Sequence, residues 1–151
     1  PISRYLKLLH DKAEAVTKDY MHFAGHPHNF GIDEEVIQTG LEAFEQAMKL
    51  VKHDAVLRAR VEKASIAAYC AAVFEPLWWG IKQGGYKLVP NNKPNKPKMP
   101  ADLDKRTRPY TRRFFELCDK YGVNTWAESV PFEQIRDQFK RIYNLKADES
   151  F

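Results

Sequence analysis

The stretch from Ala64 to Phe74 carries no charged side chain over eleven residues, and it constrains the fold more than any other part of the chain. A helix on a protein surface shows one apolar stripe, whereas this stretch has apolar residues on all sides of a helical wheel. Ile66 and Val73, for example, point away from the side that holds Ala68. The run is too short to span a bilayer. We therefore expect a central helix that is buried by other helices.

Apolar residues recur at three- and four-residue steps along most of the remaining chain, which predicts an all-α fold, a bundle of about five helices around the central one. Asp33 and Asp54 have the side chains preferred at helix N-caps. Pro76 predicts that the central helix kinks or ends near Glu75. The expected helices lie at about 2–24, 33–52, 54–75, 107–121 and 131–143. Gly122 suits the end of the fourth, and the fifth is expected to pack four apolar residues inward: Phe132, Ile135, Phe139 and Ile142. A segment of about 80–106, rich in Pro, Asn and Lys, predicts a long surface loop.

Length and charge bound the domain organisation and the partners. A chain of 151 residues with 44% hydrophobic content predicts one helical domain over residues 1–151. The 24 basic and 20 acidic residues are spread along the chain without a dense basic block, so we expect no nucleic-acid partner. We also expect no membrane partner. Because the chain begins with Pro1 rather than Met, we expect it to be a processed chain or the C-terminal part of a larger protein.

Trp78, Trp79 and Tyr86 lie among glycines beside the expected kink, and they are the predicted ligand-binding residues. Flat aromatic side chains stack on sugar rings, peptides or bases, and a glycine-rich loop would bring them to the surface. The alternative is that the tryptophans form an apolar plug under the long loop.

Three histidines at the end of the first expected helix have the spacing of a shared metal site: His22, His26 and His28. Zinc requires a fourth ligand or a water, so polar loop histidines are the competing interpretation, and we predict no metal. The chain has no glycine-rich phosphate loop, nucleophile elbow or metal-type cysteine pair, so we predict no cofactor and no catalytic residue. Cys118 lies on an expected helix, which predicts a position in the core. The sequence leaves open whether it forms a disulfide with Cys70.

Two charged clusters have a functional and a structural interpretation. The three acids at 33–35 have the residue types of a hydrolase acid–base pair, but capping and the helix dipole explain acids at a helix start. Arg112, Arg113, Arg136 and Arg141 form either a basic face or ordinary solvated helix faces. We favour the structural interpretation for both clusters.

Three segments carry a resemblance to a known family: Tyr5-Leu-Lys-Leu-Leu-His-Asp11, Glu42-Ala-Phe-Glu-Gln-Ala47 and Leu57-Arg-Ala-Arg-Val-Glu-Lys-Ala-Ser65. This part of the chain resembles the C-terminal helical region of a bacterial domain-of-unknown-function family that is similar to α-glucuronidases and other glycoside hydrolases. In that family a helical domain follows a catalytic barrel. The family's catalytic carboxylates would lie upstream of Pro1, so the resemblance places none of them on this chain.

The resemblance implies a non-catalytic accessory domain of a bacterial glycan-degrading enzyme. Its partners would be an upstream catalytic domain of the same polypeptide and an oligosaccharide, and its location would be the periplasm or the cell surface. Two alternatives remain open. One alternative is an independent helical module that binds a protein partner. The other is a small metal-dependent enzyme that uses the histidine cluster.

Overall fold

The described part of the chain is all-α, which confirms the predicted fold class. The computed structural model describes residues 1–16, 31–82, 101–127, 130–146 and 149–151, without the side chains of 16, 77–82 and 126–127. Six helices occur in these ranges: α1 (Ile2–Val16), α2 (Glu34–Leu50), α3 (Ala55–Ala64), α4 (Ile66–Lys82), α5 (Ala101–Lys120) and α6 (Phe132–Ile142). Two short antiparallel strands, β1 (Thr125–Ala127) and β2 (Val130–Pro131), precede α6.

Contacts group the chain into two compact units, Pro1–Glu75 and Pro76–Phe151. The expectation of a single domain over residues 1–151 stays a prediction. The expected extension of the first helix to residue 24 lies outside the described residues.

In the first unit, α1 packs against α2 through an aromatic pair and a glycine. The rings of Tyr5 and Phe44 meet edge to face with their centroids 5.9 Å apart. A Cβ atom at Gly40 would lie 2.7 Å from Cε2 of Tyr5, so the ring rests directly on the backbone of α2. The expected N-cap of α2 is confirmed, because Asp33 Oδ1 accepts a hydrogen bond of 3.0 Å from the backbone N–H of Val36.

The expected helix over residues 54–75 is wrong as one element, because the chain breaks it at Ser65 into α3 and α4. The Ser65 hydroxyl donates to the carbonyl oxygen of Glu62 at 2.6 Å, and the Ser65 N–H donates to the carbonyls of Val61 and Glu62. A serine that competes for carbonyls of the preceding turn ends or bends a helix. Periodicity alone does not detect this competition.

The uncharged stretch is buried on much of its surface. Ala68, Ala72 and Val73 are at most 1% exposed, but Ala64 and Ala67 are exposed and several other members are half-buried, so the expected burial on all sides is confirmed only in part. Ala68 belongs to the core of the first unit together with Val36, Phe44 and others.

Pro76 was predicted to kink or end the central helix near Glu75. The helix does not end there, since α4 continues to Lys82. A proline removes one helical hydrogen bond, and burial of the turns before it outweighs that loss. The sequence places the start of the long loop at about residue 80, whereas residues 80–82 belong to α4.

The expected start of a helix at Thr107 is wrong as well, because α5 begins at Ala101 and contains Pro109. Residues 101–106 are therefore helical rather than part of the predicted loop of 80–106. Asp102 and Asp104 in the first turn stabilise the helix start through the helix dipole. Gly122, at a φ of 66°, ends α5 as expected.

The second unit has a core of aromatic rings between α5 and α6. Phe115 lies at its centre, with centroid distances of 5.2 Å to Phe114, 5.5 Å to Phe132, 5.6 Å to Phe139 and 4.6 Å to Phe151. The predicted inner face of α6 is confirmed, since its four predicted members are buried: Phe132, Ile135, Phe139 and Ile142. This core fixes the orientation of α5 and so decides which of its residues face outward.

Candidate functional site

The predicted aromatic site is only partly within the described residues. The backbones of Trp78 and Trp79 belong to helix α4, so the tryptophans do not lie on a loop. Their side chains, and the whole of Tyr86, lie outside the described residues. Ligand contact by these three residues therefore stays a prediction.

The histidine cluster also falls outside the description, because His22, His26 and His28 all lie in the range 17–30. Among the described residues there is no group of three His, Cys, Asp or Glu side chains placed to hold a metal ion.

The acids at the start of α2 have the structural role that the sequence favoured. Lys12 Nζ lies 2.7 Å from Asp33 Oδ2 and 2.9 Å from Glu35 Oε2, which ties α1 to the start of α2. Partial burial raises the pKa of Asp33, but the hydrogen bonds from Lys12 and from the Val36 N–H outweigh it and hold the pKa below its ordinary value. Asp33 is thus a charged cap rather than a proton donor.

An open groove with a volume of about 550 Å³ lies along the outer face of α5. We call it the α5 groove and define it by its six lining residues: Lys105, Arg108, Pro109, Arg112, Arg113 and Glu116. These positions follow the three- and four-residue steps of one helix face. The groove combines four cations with one carboxylate, so it is a positively charged surface.

Arg108 is fixed in place at the middle of the α5 groove. Its Nε and Nη2 atoms donate to the two carboxylate oxygens of Asp104 at 2.6 and 2.8 Å. Its guanidinium carbon lies 5.1 Å from the ring centroid of Tyr143. The hydrogen bond with Asp104 raises the pKa of Arg108, so the charge is permanent. A guanidinium held by a fork and a ring has little freedom left to lose when a ligand binds.

Tyr143 supports this arrangement from the core side. Its hydroxyl lies 2.6 Å from Thr107 Oγ1 and 2.7 Å from Thr111 Oγ1, and both threonines are fully buried. Burial raises the pKa of Tyr143, so the phenol is neutral at ordinary pH. The polar contact joins the buried inner face of α5 to the residue that follows α6, so the groove lies on the opposite, outer face of the helix.

Lys105 and Arg112 supply the uncompensated charge of the α5 groove. Both are exposed, and neither takes part in an ion pair between described residues. Arg113, by contrast, lies 3.3 Å from Glu116. Lys105 and Arg112 are seven residues apart, which separates them by about 10 Å along the helix axis. The groove can therefore contact two anionic groups of one extended ligand.

The solvated helix face that the sequence favours for Arg112 agrees with the exposure of that residue, but the sequence does not indicate the α5 groove. The signal that would have found it is a row of cations at 105, 108 and 112, all on one side of a helix. That row is visible only when residues 101–106 are assigned to the helix.

The comparisons with known proteins do not identify a relative: no family model, no curated protein and no solved structure matches this chain. None of the helices in the described ranges has the length and apolar content needed to cross a membrane.

Proposed function

We propose that this chain is a non-catalytic helical accessory domain of a bacterial glycan-degrading enzyme, and that its α5 groove binds an acidic oligosaccharide. The four cations that line the groove carry this proposal. Carboxylate and sulfate groups on a sugar are anions that arginine binds with paired, charge-assisted hydrogen bonds.

A binding role suits the groove better than a hydrolytic one. Glycoside hydrolysis commonly uses two carboxyl groups on opposite sides of the scissile bond. The groove contains a single carboxylate, that of Glu116, and it lies against Arg113. The excess of cations favours binding of an anionic ligand. It does not provide the two carboxyl groups that hydrolysis uses as acid and base.

The glycan part of the proposal depends on the sequence resemblance described above. An upstream catalytic domain as partner, and a location in the periplasm or at the cell surface, depend on the same resemblance and stay predictions. The metal-dependent enzyme that would use the histidines also stays a prediction, outside the described residues.

The test is calorimetric titration with oligogalacturonate and with a neutral oligosaccharide of the same length. We expect binding of the acidic ligand only, with an affinity that falls as salt concentration rises. The double variant Lys105→Ala/Arg112→Ala should weaken binding about tenfold or more, which corresponds to about 1.4 kcal/mol.

The matched control is Arg106→Ala, which removes an exposed positive charge from the same helix without changing a lining residue. Its affinity should stay within about twofold of wild type, a difference of less than about 0.5 kcal/mol. If the control loses as much affinity as the double variant, binding depends on the overall charge of the helix and not on a defined site. Equal binding of the neutral and acidic ligands would contradict the role of the cations.

A further inference from the structure

A second surface lies in the first unit, where α2 turns into α3. Three large apolar side chains are exposed there: Leu50 to 74%, Val56 to 62% and Leu57 to 44%. We call the segment from residue 50 to 60 the α2–α3 corner. Every residue from 52 to 60 in it is exposed, so little of the first turns of α3 is covered. The three lie within eight consecutive residues of the chain, and an exposed apolar patch is a mark of an interaction surface.

The α2–α3 corner is held in a fixed conformation by backbone hydrogen bonds. The N–H of Val51 donates to Ala47 at 3.1 Å, and the N–H of Asp54 donates to Val51 at 3.0 Å. Asp54 Oδ1 then accepts from the N–H groups of Val56 and Leu57, both at 2.9 Å. A surface that is already ordered loses little conformational entropy when a partner binds.

Unmatched cations flank the apolar side chains of the corner. Lys52, Arg58 and Arg60 are exposed, and none of them takes part in an ion pair between described residues. The carboxylate within the corner, that of Asp54, is occupied in capping α3. The corner therefore combines three apolar side chains with three uncompensated positive charges.

We propose that the α2–α3 corner is a docking surface for a protein partner that presents an acidic amphipathic helix, with apolar residues for Leu50 and Leu57 and carboxylates for the flanking cations. Charge complementarity determines this choice of partner. A second copy of the chain would place like charges opposite each other in a two-fold contact. An anionic lipid surface is commonly recognised by a cluster of about four to eight cations, which exceeds the three in the corner.

The probe is a fluorescent amphipathic peptide of about 18 residues, five helical turns, with Leu at steps of three and four and Glu between them. A matched peptide has Lys in place of every Glu. We expect wild-type protein to raise the fluorescence anisotropy of the Glu peptide at concentrations about tenfold below those needed for the Lys peptide. The double variant Leu50→Ser/Leu57→Ser should lose about tenfold in affinity for the Glu peptide.

Reversing the charge supplies the sharper test. Arg58→Glu/Arg60→Glu should exchange the preference, so that the Lys peptide binds better than the Glu peptide. Leu6→Ser is the matched control, because Leu6 is 57% exposed on α1 and lies outside the corner. Far-UV circular dichroism and thermal melting confirm that each variant is folded.

The Lys105→Ala/Arg112→Ala variant keeps this test separate from the α5 groove, and it should bind the Glu peptide as wild type does. The docking proposal is overturned if Leu6→Ser weakens binding as much as the corner variant, or if charge reversal leaves the preference unchanged. It is also overturned if the wild-type protein binds neither peptide, or binds vesicles containing phosphatidylglycerol but not the Glu peptide. Dimerisation in sedimentation that Leu50→Ser abolishes would assign the corner to a second copy instead.

Discussion

Tyr143, Thr107 and Thr111 have three hydroxyl protons for four short contacts. The threonine hydroxyls reach the carbonyls of Leu103 and Thr107 at 2.7 and 3.0 Å, and both also contact the phenol oxygen. Because each proton serves one acceptor best, one contact always lacks a hydrogen. In Tyr143→Phe both threonines keep a carbonyl acceptor. We therefore expect the free energy of unfolding, measured in urea, to fall by only about 1 kcal/mol.

Replacing the two threonines should lower the free energy of unfolding more than Tyr143→Phe does. Thr107→Val/Thr111→Val takes away both described partners of the buried Tyr143 hydroxyl and leaves a polar group without compensation, at a cost of about 1–3 kcal/mol beyond the repacking. Adding Tyr143→Phe to that double variant should then restore stability. If the effects of the three substitutions simply add, the hydroxyls do not form one network.

At the level of helices, Gly40 decides how closely α1 approaches α2. An alanine there gains about 1 kcal/mol of helix propensity, but its Cβ would overlap the ring of Tyr5, which is buried against Phe44. Overpacking of this kind costs about 1–3 kcal/mol, so we expect Gly40→Ala to lower the melting temperature. In a Tyr5→Leu background the same substitution should be neutral or stabilising. A stabilising Gly40→Ala in the wild-type background would show that the ring moves aside easily.

The sequence predicts correctly those features that are determined by residues close together in the chain. The cap at Asp33 and the inner face of α6 follow from neighbouring residues, and both were predicted correctly. The break at Ser65 depends on one side chain that captures a carbonyl, and the passage of α4 through Pro76 depends on burial. Neither effect is visible in a hydrophobic pattern.

The α5 groove is not predicted from the sequence because the sequence misplaces the start of α5. With the helix expected to start at Thr107, Lys105 belonged to the loop, and no row of cations could be seen. The α5 groove appears once α5 begins at Ala101. A proline at position 109 marks a helix start by its usual preference, but here it lies on the exposed side in the middle of the helix.

At the scale of the molecule, Cys118, Tyr5 and Tyr143, all buried among the described residues, keep their protons more tightly in the folded chain than in the unfolded one. Burial, reinforced by the charge of Asp119, raises the pKa of the Cys118 thiol from 9.0 to about 11. Burial also raises the pKa of Tyr5 and of Tyr143 above 10.0. No disulfide links Cys118 to Cys70, and the full burial of Cys118 confirms its predicted place in the core. A buried thiol that stays protonated is a poor nucleophile.

These shifts predict how the free energy of unfolding depends on pH. Between pH 9.0 and about 11 the unfolded chain releases the Cys118 proton while the folded chain keeps it, so stability is complete below this window and falls as pH rises through it. The loss should reach about 2 kcal/mol at the upper end, and the tyrosines add to it above pH 10. Cys118→Ala should lower stability at every pH because it leaves a cavity, but it should flatten the slope between pH 9 and 10. Val36→Ala is the control, because it leaves a core cavity without removing a titratable group, and it should keep the wild-type slope in urea titrations at each pH. A slope that survives in Cys118→Ala would mean that the alkaline loss comes from another group.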